Sequence, residues 1–178
     1  MKQTVLFYGL IAGLIVAAML IITTTMCYHD ENFQSSMTLG FGTMFIAFGT
    51  IFIAVKKVRD KYNGGVITFG KAFLTGLYVA LIASTIYVAV WLVDYYVFIP
   101  DFMDKYTAHV LKEVKADGGT AQEMQAKIDE MKSYKELYKN PLYVVVLTYM
   151  EILPLGIVVS LLSAFIFKRT SRRGLAGA

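Results

Sequence analysis

The stretch Gly64–Asp101, GGVITFGKAFLTGLYVALIASTIYVAVWLVDYYVFIPD, decides the fold. It opens on a glycine turn beside a basic cluster, continues as one apolar run and stops at Pro100. An apolar run of about 28 residues, rising 1.5 Å per residue as a helix, is longer than the roughly 30 Å of hydrocarbon in a bilayer. Asp94 lies inside it. The run therefore reads as a membrane-crossing helix that carries a carboxyl into the lipid.

Three other runs have the same character. The sequence predicts spans over 4–27, 37–55, 71–99 and 141–167, with a polar helical insert over 101–140, all within a single membrane domain covering 1–178. Of the 178 residues, 57% are hydrophobic. That exceeds the about 45–50% apolar content of soluble domains, and the excess is concentrated in the four runs. The predicted fold is all-α: an integral membrane four-helix bundle with an extracytoplasmic helical hairpin between the third and fourth spans.

Each span has a local reason. In the first, Gly9, Gly13 and Ala17 recur every fourth residue, a spacing that lets two helix backbones approach closely where lipid removes the hydrophobic drive. Gly42 and Gly49 lie seven apart in the second, Gly76, Ala80 and Ser84 repeat the row in the third, and Gly156, Ser160 and Ala164 in the fourth. These rows make Gly9, Gly13, Gly42, Gly49, Gly76 and Gly156 candidate helix-packing positions. Asn63-Gly64-Gly65 is a tight-turn signal, and Thr68 is a candidate N-cap for the third span. Trp91, Tyr95 and Tyr96 mark its far end as aromatic interface residues. Asn140-Pro141 is an N-cap followed by proline at the first helical position, where the missing N–H costs nothing.

The insert holds seven lysines and eight acidic residues. Phe102, Tyr106, Val110 and Val114 recur at intervals of four, the pattern of an amphipathic helix. After Gly118-Gly119, Thr120 and Glu123 have the spacing of a capping box, and Met124, Ile128, Met131 and Tyr138 form a second stripe. Two short helices joined at the glycines are expected, packed on each other or against the headgroups rather than forming a ligand lid.

Charge sets the orientation. Lys56, Lys57, Arg59 and Lys61 precede the glycine turn, and Lys71 follows it. Lys168, Arg169, Arg172 and Arg173 follow the last span, whereas the first connection, Tyr28–Ser36, has two acids and no Lys or Arg. By the positive-inside rule both ends of the chain and the basic turn face the cytoplasm and the insert lies outside. The net charge of +4 comes from residues placed beside apolar runs, so the basic residues read as topology signals and nucleic acid is not an expected partner. The lipid bilayer is the expected partner, with a second copy or a membrane complex as the protein partner. Thr4–Cys27 is longer than the apolar core of a signal peptide and reads as a retained helix. Cys27, the one cysteine, excludes an internal disulfide.

Two acids carry the chemistry. Asp94, six residues before Pro100, lies about 9 Å from the outer end of its helix, and Glu151, ten past Pro141, about 15 Å deep, near the midplane. An acid at a helix centre costs about 2.5–3.5 kcal/mol on an insertion scale. No Lys, Arg or His stands within a span to pair with either, and His29 could approach Asp94 only at the surface. Glu151 and Asp94 are therefore the candidate intramembrane proton or ion site, the usual meaning of an ionisable residue in a span. The structural alternative for Glu151 is a protonated carboxyl that bonds the Met150 carbonyl, which Pro154 cannot satisfy, or the nearby Thr148 or Tyr149 hydroxyls. For Asp94 the alternative is hydration or an interhelical bond.

No enzyme is expected. Neither a Gly-x-Ser-x-Gly nor a His-Glu-x-x-His pattern is present, nor a phosphate-binding glycine loop. A zinc site would need His29 and His109 to converge with acids such as Asp30 or Glu113, so neither metal nor cofactor is expected.

At GGVITFGKAFLTG and VFIPDFMDKY the chain resembles the bacterial membrane proteins grouped as Domain of Unknown Function 4199. The residues that carry the resemblance are Gly65, Ile67, Phe69, Gly70, Ala72, Phe73, Gly76, Pro100, Asp101 and Phe102. It implies four spans, a polar helical segment after the third and a bacterial inner membrane. It carries no functional residues across. The function expected from all of this is a structural or accessory component acting through helix–helix assembly, the alternative being a small proton-coupled transporter or channel.

Overall fold

A computed structural model describes residues 1–29 and 37–168. Six α-helices follow in order: α1 (Lys2–His29), α2 (Met37–Tyr62), α3 (Phe69–Val93), α4 (Phe102–Ala116), α5 (Ala121–Tyr138) and α6 (Pro141–Phe167). A single π-helical turn, Asp94–Phe98, extends α3. Four segments are long and apolar enough to cross a membrane: Lys2–Tyr28, Gly40–Tyr62, Phe69–Phe98 and Pro141–Phe167. The molecule is an all-α bundle of these four, with α4 and α5 forming a hairpin at one end.

The turn between α2 and α3 is built as its sequence predicts. Gly64 and Gly65 adopt φ of +59° and +82°, conformations that side chains with a Cβ resist. The Gly65 amide donates to the Arg59 carbonyl at 3.0 Å, and the Asn63 amide donates to the Val58 carbonyl at 3.0 Å. These bonds close the last turn of α2. Thr68 then caps α3, accepting from the Lys71 amide at 3.4 Å. At the opposite end Asn140 accepts from the Leu142 amide at 3.0 Å and Pro141 begins α6.

α2 runs on to Tyr62, past the expected end at Val55. Lysine and arginine are good helix formers, so the basic cluster leaves the apolar zone without leaving the helix. α6 likewise passes through Pro154 as one helix.

α3 is the central element, packed most extensively on α6 and α1. α1 runs parallel to it: Gly9 lies against Ile82 and Gly13 against Ile86. A Cβ on Gly9 would stand 2.8 Å from that of Ile82, closer than real packing permits. α6 runs antiparallel to α3. Here a Cβ on Gly76 would meet the Ser160 Oγ and Ile51 Cγ2 at 2.9 Å, and one on Gly156 would meet the Ala80 Cβ at 2.7 Å. The three helices α2, α3 and α6 thus converge around Phe48, Ile51, Gly76, Ala80, Gly156 and Ser160. Gly42 and Gly49 differ. A Cβ at either would meet nothing within 4 Å, so neither is a close-approach position within this chain. The row they form is on the outer side of α2, where Ile46 and Ile53 are exposed.

The hairpin is held together by its own sequence. Gly118 turns at φ +75°. Thr120 and Glu123 form the capping box, with the Glu123 amide donating to Thr120 Oγ1 at 3.2 Å and the Thr120 amide to Glu123 Oε2 at 2.7 Å. The Thr120 amide, and after it the Thr120 hydroxyl, which also donates to Glu123 Oε2 at 3.0 Å, hold the Glu123 carboxyl below the ordinary range. Met103 and Met131 bury the seam between α4 and α5, and Lys135 pairs with Asp104 across it.

Candidate functional site

The two intramembrane acids sit in different settings. Glu151 lies on a flank of α6, exposed at the surface of the bundle rather than sealed within it. Its one hydrogen-bond partner among the described residues is the Tyr87 hydroxyl of α3, which donates to Oε1 at 3.5 Å, the outer limit for such a bond. The neighbours proposed from sequence are otherwise engaged. Thr148 donates to the Val144 carbonyl at 2.7 Å, and Tyr149 pairs with Thr85 of α3 at 2.8 Å. Pro154 leaves the Met150 carbonyl without its usual helical donor.

Tyr87 is the residue that sequence reasoning missed. Its ring is buried, at 7% exposure. It also forms part of the wall of a crevice of about 30 Å³ between α1, α2 and α3, together with Thr23, Thr43 and Leu20. The volume has room for a water molecule, although most of the wall is apolar, with Val16, Met19 and Met44 among its residues. Tyr87 therefore stands between this space and Glu151. A signal was available: a tyrosine inside an apolar span and short of the aromatic girdle needs an acceptor for its hydroxyl, and Glu151 is a carboxylate within the facing span.

Asp94 opens the π turn, where the Ile99 amide donates five residues back to the Asp94 carbonyl at 3.0 Å. The residue is half-buried, and its Oδ2 is buried with no hydrogen-bond partner among the described residues. Single π turns recur at functional sites because they rotate one side chain out of α-helical register. The structure records no contact between Asp94 and Glu151. The His29 side chain, proposed as a neighbour of Asp94, lies outside the described residues, as do Asp30, Arg169, Arg172 and Arg173. His109 pairs with Glu113 at 3.3 Å. Among the described residues no cluster of three or more His, Cys, Asp or Glu side chains could hold a metal ion.

Above Glu151 the end of the bundle is closed by aromatic rings. Tyr95, 7% exposed, contacts Trp91, Tyr96, Phe102 and Tyr138 with centroids 5.8, 4.9, 6.3 and 5.3 Å away. Tyr138 continues to Tyr143 at 6.1 Å, and its carbonyl accepts from the Tyr96 hydroxyl at 2.8 Å. Burial first, and then the Glu151 carboxylate and the neighbouring phenols, push the Tyr138 hydroxyl up to about 12. A second tie joins α1 to the hairpin. The Tyr28 hydroxyl donates to Asp101 Oδ1 at 2.6 Å. Lys105 Nζ lies 3.4 Å from the Tyr28 ring centroid and donates to the Tyr28 carbonyl at 3.3 Å. The bond from Tyr28, with Lys105 nearby, holds the Asp101 carboxyl below the ordinary carboxylate range.

Four membrane-length helices with no β-sheet among the described residues, a polar helical hairpin at one end and a carboxyl midway along one span define a multi-pass membrane protein. The chain belongs to the family described as protein of unknown function (DUF4199), which matches residues 7–169. No curated protein and no solved structure matches it.

Proposed function

We propose that this protein is a non-enzymatic structural or accessory component of a bacterial inner membrane that works by assembling with other helices, and that the Glu151 flank of α6 is where assembly occurs. The observation that carries this reading is the position of Glu151: exposed on the bundle, midway along a span, with one long bond to Tyr87. A carboxyl facing hydrocarbon is costly, and intramembrane acids characteristically face other helices or water. A partner helix offering a donor to Glu151 removes that cost. Met150 beside it, 69% exposed, would lie in the same contact. A photo-crosslinking side chain placed at Met150 should capture a higher-mass species in native membranes, either a second copy or another membrane protein. Nothing but uncrosslinked chain there, together with lone monomers in mild detergent, would defeat the reading.

The same proposal places both ends of the chain and the basic turn in the cytoplasm and the α4–α5 hairpin outside. The support is the basic residues grouped at one end of the bundle. A cysteine introduced at Gly118, in a Cys27→Ala background, should react with an impermeant thiol reagent on intact spheroplasts, and one at Gly64 only after the membrane is opened. The reverse pattern would invert the orientation.

One observation favours a second reading. Tyr87 links Glu151 to a mostly apolar crevice in whose wall Thr23 and Thr43 also stand, the beginning of a route for protons. In that reading Glu151→Gln, which keeps the shape and removes the exchangeable charge, abolishes proton flux into liposomes. Flux that is absent from the wild type, or unchanged in the variant, rejects it.

A further inference from the structure

Lysines at the two ends of the bundle are treated differently. At the hairpin end they are matched by the chain itself. Lys127 meets Glu130 at 2.6 Å, Lys139 meets Glu136 at 2.7 Å, Lys132 lies 3.9 Å from Asp129, and Lys135 is paired with Asp104. The turn end gathers Lys2, Lys56, Lys57, Arg59, Lys61, Lys71 and Lys168, and among the described residues the carboxylate in sequence beside them is Asp60. Asp60 is taken by Arg59 at 2.6 Å. The six lysines are all exposed.

Instead of acids, aromatic rings lie beneath these cations. Lys57 Nζ is 5.5 Å from the centre of the Tyr8 ring, Lys61 5.9 Å from Tyr62, and Lys168 4.3 Å from Phe165, while the Arg59 guanidinium is 5.2 Å from Phe167. The rings come from α1, α2 and α6, so the arrangement encircles the end of the bundle. Aromatic rings at the rim of an apolar zone sit at headgroup depth. Long basic side chains lay their stems along such a rim and present the charge beyond it. The six lysines are thus held at the level of the lipid phosphates, with no acidic partner among the described residues.

We propose that the turn end of the bundle is a binding collar for phospholipids of net negative charge, with Lys56, Lys57 and Lys61 of α2 as its principal contacts. This goes beyond setting topology, because it predicts a retained lipid shell of particular chemistry. It depends neither on what α6 assembles with nor on which side of the membrane the turn faces. A zwitterionic lipid carries the same phosphate with a compensating cation, so the collar discriminates by net charge. The attraction is exerted mainly within a Debye length of the surface.

The experiment uses the full chain, purified from mixed vesicles of phosphatidylglycerol and phosphatidylcholine, with retained lipid counted by native mass spectrometry. The wild type should retain phosphatidylglycerol selectively and lose it as salt is raised. Changing Lys56, Lys57 and Lys61 together to Gln should lower that retention by about tenfold or more, since each basic residue near an anionic surface contributes separately. The matched change of Lys115, Lys132 and Lys139 in the hairpin should leave it unaltered. Equal retention of both lipids, insensitivity to salt in the wild type, or equal losses in the two triple variants would each overturn the proposal. The salt series on unmodified protein keeps it testable if the first variant fails to fold.

Discussion

Gly156→Leu is expected to drive α6 away from α3 and destabilise the bundle by about 3 kcal/mol or more, at or beyond the upper end of ordinary overpacking. The expectation rests on geometry. A Cβ at this position would sit 2.7 Å from the Ala80 Cβ and 3.1 Å from the Phe48 Cζ. Ala80 and Phe48 are both fully buried, so neither can move without displacing its own helix. In lipid, where apolar side chains gain little by leaving the surrounding tails, close backbone approach is the main source of helix–helix attraction. A side chain at the crossing removes it for α3–α6 and wedges α2 as well. Thermal unfolding followed by size-exclusion chromatography in mild detergent should show an early loss of the monodisperse peak. Gly42→Leu and Gly49→Leu are the matched controls. A Cβ there meets open space, so both should melt within about 0.5 kcal/mol of the wild type, as surface substitutions do. If Gly156→Leu melts with them, the α3–α6 contact described here is wrong.

That contrast shows what could be read from the sequence and what could not. Small residues spaced by four in three spans, and by seven in the second, are visible in the sequence, but spacing does not give the direction in which a row faces. An amphipathic soluble helix marks its buried side by hydrophobicity. A membrane helix is apolar all round, so Gly76 and Gly156, which face a neighbour, look the same in the sequence as Gly42 and Gly49, which face outward. Glu151 has the same ambiguity. Counting from Pro141 gives its depth, whereas its place on the flank of α6 and its bond to Tyr87 depend on how α3 and α6 rotate against each other. Asp94 was legible as an acid near the end of a span, but not as the start of a π turn, because a shift from four-residue to five-residue bonding leaves no reliable mark in composition. Turns and caps were legible throughout. Asn63-Gly64-Gly65, Thr68, Thr120-x-x-Glu123 and Asn140-Pro141 act through local bonds that their own side chains complete. Span ends set by charge were less so, since Lys56–Lys61 continue α2 instead of ending it.

Tyr95→Ala is expected to release the hairpin from the bundle. The girdle of Trp91, Tyr95 and Tyr96 was read from sequence as an interface marker, and in the structure Tyr95 is a junction as well. It is the buried residue of the π turn, and its ring touches Trp91 of α3, Phe102 at the start of α4 and Tyr138 at the end of α5. Both helices of the insert therefore meet the bundle at this one side chain, with Phe102 also packed on Trp91 at 5.4 Å. Truncating a buried aromatic costs about 3–5 kcal/mol through lost contacts and the cavity left behind, and the loss here falls at the joint between two parts of the molecule. The four membrane helices keep their crossings at Gly76, Gly156, Gly9 and Gly13, which lie nearer the other end. What should remain to hold the hairpin is the Trp91–Phe102 and Tyr138–Tyr143 ring contacts, the exposed Tyr96 bond to the Tyr138 carbonyl, and the Tyr28–Asp101–Lys105 tie, of which the Tyr28–Asp101 bond is exposed. Limited proteolysis should therefore cut the variant rapidly around Gly118–Gly119 while the spans stay protected, and amides of α4 and α5 should exchange faster than those of α3 and α6. Tyr95→Phe keeps the ring and its four aromatic neighbours, so it should retain most of the protection. Equal cleavage of wild type and Tyr95→Ala would mean that the hairpin is held at Tyr28 and Asp101 instead, and Tyr28→Phe, which removes the hydroxyl that meets Asp101, would then be the variant that frees it.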